Sequence, residues 1–136
     1  MSRTIKAVRV VPLLATRDPQ SLLTFFSKTL DVEAHWKHED GDGRVVHAEV
    51  LWGSDRISIT AGEPRQCSLG LEVEDKATVE RLFERALSAS ARVKMGLTHS
   101  KVAYSFTIQD ADGNQYWIHD ETGYLDQLRL EPSAQA

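Results

Sequence analysis

Two short segments of the chain place chemically able side chains two residues apart, the spacing at which a β-strand shows both to one side. His47-Ala48-Glu49 offers an imidazole and a carboxylate, and Trp117-Ile118-His119 offers an indole and a second imidazole. An imidazole accepts or donates a hydrogen bond near neutral pH, and a carboxylate attracts a cation. A tryptophan ring presents a flat face for stacking on planar or cationic molecules. If His47, Glu49 and His119 converged, two neutral imidazoles and a carboxylate would suit zinc or iron. Strand alternation alone does not make them converge, and half-exposed strand histidines are the simpler reading.

Other constellations fall short of a site. Ser68, Ser100 and Ser105 lie in no nucleophile-elbow sequence, so a hydrolase triad has no support and no catalytic residue is assigned. Gly41-Asp42-Gly43 lacks the Gly-Lys-Ser/Thr ending and the following helix of a phosphate loop. Asp110-Ala111-Asp112-Gly113-Asn114 has calcium-loop residues but no distal glutamate at the needed spacing, and reads as a turn. His35 and His38, three apart on a strand, are expected on opposite faces, both solvated. His99 reads as a loop residue, and Cys67 as an unreactive buried thiol near Arg65. Phe25, Phe26, Phe83 and Phe106 read as core. Trp36, Trp52 and Tyr104 are expected near a cavity or a partner subunit.

The elements that must position these residues come in two similar sets. Asp18 is followed at offsets 4, 7, 8 and 12 by Leu22, Phe25, Phe26 and Leu30, and Asp75 at the same offsets by Val79, Leu82, Phe83 and Leu87. That spacing is one face of an α-helix, with aspartate as its N-cap and Pro19 suited to the first helical position. A β-branched run precedes each helix, over residues 7–15 and 69–73. Strand-like segments follow each: 32–37, 44–52 and 56–61 in the first set, then 92–97, 102–109 and 115–119 in the second. Turns rich in Gly, Asp and Asn separate them at 39–43, 53–55 and 110–114. The scheme is βαβββ twice, an α+β fold of one duplicated domain. Unit one spans about 7–61, unit two about 67–119, and Glu63, Pro64 and Arg65 link them. In the tail, 120–136, residues 122–130 read as a short helix and the rest as frayed. The helices must cover one side of each sheet, which leaves the opposite side free to curve around a ligand.

Composition narrows the classes. With 136 residues, 41% hydrophobic and 26% charged, the chain suits one soluble domain with a packed core. Sixteen Lys and Arg against twenty Asp and Glu give a net charge of -4, which disfavours a general nucleic-acid surface. One cysteine makes no intramolecular disulfide, so a reducing, cytoplasmic setting is expected. No apolar stretch reaches the ~20 residues of a membrane helix, and no secretory signal is read.

The paired βαβββ units, the segment from Val11 through Asp18 into Leu22–Phe26, and Phe106-Thr107-Ile108-Gln109-Asp110-Ala111-Asp112-Gly113-Asn114 resemble the vicinal oxygen chelate superfamily of glyoxalases, bleomycin-resistance proteins and extradiol dioxygenases. His47-Ala48-Glu49-Val50 with Gly53 is similar to the middle strand of many such proteins, while Ala111 replaces their usual proline. The resemblance implies an incomplete barrel of two units around a cavity. It places the family's metal ligands on Val11, near Ser68, on Glu49 and on Trp117. Valine and tryptophan cannot ligate a metal and serine is a poor ligand, so no metal and no cofactor are expected. The resemblance further implies a homodimer that binds a small organic molecule, as the drug-sequestering relatives do. Glu49 would then be the polar or charged contact, Trp117 the stacking surface, and His47 and His119 the flanking hydrogen-bonding groups. With Glu49 in an acidic cavity, a cationic or aromatic compound is expected. A metal-dependent lyase, isomerase, dioxygenase or thiol transferase is the competing reading.

Overall fold

The structure, a computed structural model, describes residues 5–121. The tail helix expected over 122–130 and the segment after it lie outside the described residues. In chain order the elements are β1 (Leu13–Thr16), α1 (Pro19–Leu30), β2 (Ala34–Glu39), β3 (Val45–Trp52), β4 (Asp55–Ala61), β5 (Ser68–Glu72), α2 (Lys76–Ser88), β6 (Arg92–His99), β7 (Tyr104–Gln109) and β8 (Gln115–Asp120). They form two four-stranded sheets of equivalent topology, β1-β4-β3-β2 and β5-β8-β7-β6. In each, the strand before the helix pairs parallel with the last strand, and the other pairings are antiparallel. The result is the α+β fold of two βαβββ units, with the sheets not closed into a barrel.

Both helices start as their sequences dictate. The Asp18 carboxylate accepts from the Ser21 N–H at 3.2 Å and Asp75 accepts from the Thr78 N–H at 2.8 Å, each satisfying a free first-turn donor. Helix α1 ends at Asp31, whose N–H donates to the Phe26 carbonyl and whose left-handed backbone (φ 60°) turns the Val32 N–H onto the same oxygen at 3.5 Å. The buried faces differ in detail from the shared offsets. Leu23 joins Leu22, Phe26 and Leu30 in the core, while Leu87 is exposed and Ala86 is buried in its place.

One face of each sheet and both helices share a single core, in which Leu14, Val50 and Ile59 of the first sheet join Phe106, Tyr116 and Ile118 of the second. Phe26 bridges the units, meeting the buried Tyr116 ring edge-on with centroids 5.4 Å apart. Each large apolar side chain buried this way contributes roughly 1.5–3 kcal/mol. Phe25 and Phe83 lie at the margin of the core. The indole N–H of Trp52 adds a polar tie between units by donating to the Glu72 carbonyl at 2.8 Å.

The first strand departs from expectation. The run over 7–15 forms a strand only from Leu13, and no backbone hydrogen bond joins residues 5–11 to another described residue. Strand β2 is shifted toward its C-terminus relative to 32–37, and its pairing with β3 slips between Ala34 and Trp36.

Candidate functional site

The strand alternation read from the sequence holds at both segments. On β3, Ala48 and Val50 enter the core while His47, Glu49 and Leu51 lie on the opposite face. On β8, Tyr116 and Ile118 are buried in the core, and Trp117 and His119 lie on the opposite face beside Gly70. His47 and Glu49 thus belong to one sheet, Trp117 and His119 to the other. Each pair sits on the side of its sheet away from the shared core.

The first face is a polar and aromatic surface. His47 Nδ1 lies 3.0 Å from the Thr60 hydroxyl, one strand over. The rings of Trp36, His38 and His47 form a ladder across β2 and β3, with centroids 6.4 and 6.3 Å apart and planes 11° and 28° from parallel. Glu49 is not a free carboxylate. His35 Nε2 lies 3.3 Å from its Oε1 and Arg56 Nε lies 3.8 Å from its Oε2. The irregularity after Ala34 brings His35 to the same face as His38, against the opposite-face expectation, because an extra residue in one strand breaks its alternation.

The second face is more enclosed. The Trp117 indole stacks on the His119 imidazole with centroids 3.9 Å apart and planes 20° from parallel. A methyl group at Gly70 would come within 3.3 Å of His119 Nε2 and 3.5 Å of Trp117 Cε3, so glycine leaves space for the stack. Trp117 remains partly exposed, whereas His119 is only 6% exposed, not half-exposed. His119 Nδ1 is buried without a hydrogen-bond partner; Glu121 Oε2 lies 3.8 Å away, beyond bonding distance. Burial holds the His119 pKa below its ordinary 6.5, against the opposing pull of Glu121, Glu72 and Asp120.

Metal chemistry finds little to build on here. Among the described residues, no three His, Cys, Asp or Glu side chains are grouped as a metal site. Val11 and Trp117 carry no lone pair for a metal, and His119 stands on a different sheet from His47 and Glu49. The residues present do not fit the ion that metal-dependent relatives would carry. Cys67 is partly buried, with its thiol pKa raised by burial and by Asp110. Surface clefts lie elsewhere. One of about 580 Å³ between the units is lined by Ser21, Phe25, Arg92 and Asp110, and one of about 230 Å³ by Arg17, Leu22, Phe25 and Asp112. Neither is lined by His47, Glu49, Trp117 or His119.

Residues 6–118 match the Glyoxalase/Bleomycin resistance protein/Dioxygenase superfamily. The chain belongs to that superfamily. No curated protein matches it. Among solved structures, TioX from Micromonospora sp. ML1 superimposes with a TM-score of 0.73 at 16% identity, over 85% of this chain and 99% of that one. The lactoylglutathione lyase of Agrobacterium tumefaciens gives 0.68 at 16% identity, over 87% and 96%. Protein PA1353 of Pseudomonas aeruginosa gives 0.66 at 20% identity, over 85% and 98%. At such identities these likenesses concern the fold alone. No helix among the described residues is long and apolar enough to cross a membrane.

The ring ladder through Trp36 and His38 and the ion pairs around Glu49 are site features that sequence reading misses. The two-residue spacing of Trp36 and His38 already put them on one strand face, whereas the place of His35 needed a bulge in β2.

Proposed function

We propose that this superfamily member binds a small planar organic molecule, without a metal, in a groove that a second copy of the chain completes. The observation that carries this reading is the partly exposed Trp117, held flat by its stack on His119 at a position where metal-dependent relatives would need a ligand. A ring already fixed in orientation loses little conformational freedom when another planar group settles on it. His47 and Glu49 stand on the other sheet, so a homodimer that sets the first sheet of one copy against the second sheet of its partner supplies the missing wall. The large apolar side chains exposed on these strands, Trp36, Leu51, Met95 and Leu97, suit such coverage. In the groove His47 and Glu49 offer polar contacts. Arg56, 3.8 Å away, already offsets part of the Glu49 charge, so aromatic character weighs more than positive charge in selecting the ligand.

The test is a tryptophan-fluorescence titration of the purified protein against planar aromatic amines, aromatic acids and cationic glycopeptides. Saturable quenching by an aromatic class, lost in Trp117→Ala with the fold intact by circular dichroism, is the expected result. No response from any class, or quenching that persists in Trp117→Ala, overturns the reading.

A further inference from the structure

A shift of 57 residues relates the starts of α1 (Pro19) and α2 (Lys76), and the ends of β3 (Trp52) and β7 (Gln109). In unit one the strand ends on an indole that packs against the core and donates to the Glu72 carbonyl at 2.8 Å. Its counterpart Gln109 is smaller and lies along its own turn: Nε2 donates to the Gly113 carbonyl and Oε1 accepts from the Arg92 guanidinium, both at 3.1 Å. Gln109 lines the cleft of about 580 Å³ between the units. At corresponding strand ends the duplicated fold therefore holds a core-packed ring in one unit and an open cleft in the other. The volume lies within the ~300–1,000 Å³ of small-molecule pockets.

The lining of this cleft is amphipathic. Half-buried Phe25 supplies apolar surface, and the cleft of about 230 Å³ shares Phe25 and Ala111 and extends the lining to Leu22. The exposed charges of the larger cleft are both cationic, Lys28 on α1 and Arg92 on β6. Among the described residues the Lys28 ammonium has no ion-pair or hydrogen-bond partner, and Arg92 meets a neutral amide. Asp110 is buried, and its two oxygens already accept four donors. Ser90 lines the cleft at φ +56°, a left-handed backbone that a β-carbon disfavours, and its hydroxyl bonds no described residue. A neighbouring cleft shares Lys28 and Ser90 and adds Arg81 and Arg85, set against Glu84 and the Asp31 carboxylate that both arginines approach. Buried Arg85 Nε adds a donor without a partner. On a chain of net charge -4 this surface is locally cationic.

Two cations and a hydroxyl suit a carboxylate, which accepts charge-assisted hydrogen bonds from each. Direction is set as well. Asp18 and Asp112 line only the smaller cleft and repel an anionic head there, while Arg17 is paired with Glu63. We propose that this cleft is a second ligand site, separate from the Trp117 groove, and that it takes a small amphipathic carboxylate. The head group lies between Lys28 and Arg92, and the apolar body runs along Phe25 toward Leu22.

The experiment titrates ¹⁵N-labelled protein to about 10 mM with phenylacetate, phenylbutyrate and octanoate, each beside its primary amide, and follows backbone amide shifts by NMR. Saturable shifts over Thr24–Lys28 and Ser90–Arg92 are expected with at least one acid, with its amide binding about tenfold more weakly or worse. Shifts centred on Gly70 and Trp117, equal affinity for acid and amide, or no shifts with any compound overturn the proposal. Lys28→Met changes an exposed side chain and should weaken the acid about tenfold; unchanged affinity refutes the head-group assignment and the proposal with it. Gln109→Trp gives the second unit the ring of the first and should abolish binding. Thr24→Trp, at an exposed helix position on the same cleft, repeats that blockade without touching the Gln109 hydrogen bonds. Full acid binding in a folded Thr24→Trp protein places the ligand elsewhere and sinks the site.

Discussion

The imidazole of His119 lies under the indole of Trp117 at 3.9 Å between centroids, with its Nδ1 buried and unbonded. Burial depresses its folded-state pKa below 6.5, so the unfolded chain takes up this proton first as pH falls. The neutral ring's contribution to stability is therefore complete above pH 6.5. It is lost as pH drops from there toward the folded-state value. Urea unfolding of the wild type should show stability falling through this window, with His119→Asn flattening the slope. An unchanged slope in the variant would refute this assignment. The carboxylate caps Asp18 and Asp75, with pKa values lowered from 3.8 by their bonds to Ser21 and Thr78, act only at lower pH.

Tyr116 is fully buried and donates to Asp110 Oδ2 at 2.6 Å, and Asn114 Nδ2 donates to the same oxygen at 3.0 Å. The other carboxylate oxygen accepts the N–H groups of Asp112 and Asn114 at 2.9 Å. Burial and Asp110 together raise the Tyr116 pKa far above 10, keeping the phenol a donor. Tyr116→Phe removes one donor to a buried carboxylate and should cost about 1–3 kcal/mol in chemical denaturation. A change within about 0.5 kcal/mol would mean that the remaining three donors suffice.

The repeat, both helices and the split of β8 into a core face and an opposite face are legible in the sequence because they rest on local periodicity. Asp18 and Asp75 mark helix starts by their own hydrogen-bonding chemistry, and Tyr116 and Ile118 alternate with Trp117 whatever lies around them. The missing strand over residues 7–12 was illegible because propensity reports what a segment prefers, not whether an edge is available to it. The place of His35 depended on a slip in the β2–β3 register, which no alternation rule carries. The burial of His119 depended on long-range packing. The separation of the four candidate residues onto two sheets depended on how the units dock, a contact made by Phe25 and Phe26 on Tyr116.

Gly113 sits at φ +92° in the turn that Asp110 organises, and a side chain there would overlap the Gln66 side chain. Gly53 in the β3–β4 turn is also left-handed, at φ +60°, but faces open space. Gly53→Ala therefore pays for backbone strain alone, about 1 kcal/mol. Gly113→Ala lies farther from the left-handed well at about φ +57° and also moves the flexible Gln66 amide aside, so it should cost more, about 2 kcal/mol. Thermal unfolding of the two variants side by side tests the order; a Gly113→Ala protein as stable as Gly53→Ala would contradict it.

Glu49, 21% exposed at its side chain, is held between His35 and Arg56, whose side chains are 42% and 47% exposed. Pairs this open to solvent contribute at most about 1 kcal/mol, so Arg56→Met should leave the unfolding midpoint nearly unchanged. Under the proposed reading its effect falls on ligand binding instead. Removing the guanidinium leaves the carboxylate without its cationic neighbour, and affinity for a cationic aromatic ligand should rise about tenfold over that for a neutral one of the same shape. Glu49→Gln should shift the preference the other way, toward anionic ligands, because Arg56 is then unopposed. Calorimetric titration with a matched cationic, neutral and anionic series measures both shifts. If neither variant changes the ranking of the three ligands, Glu49 lies outside the binding surface.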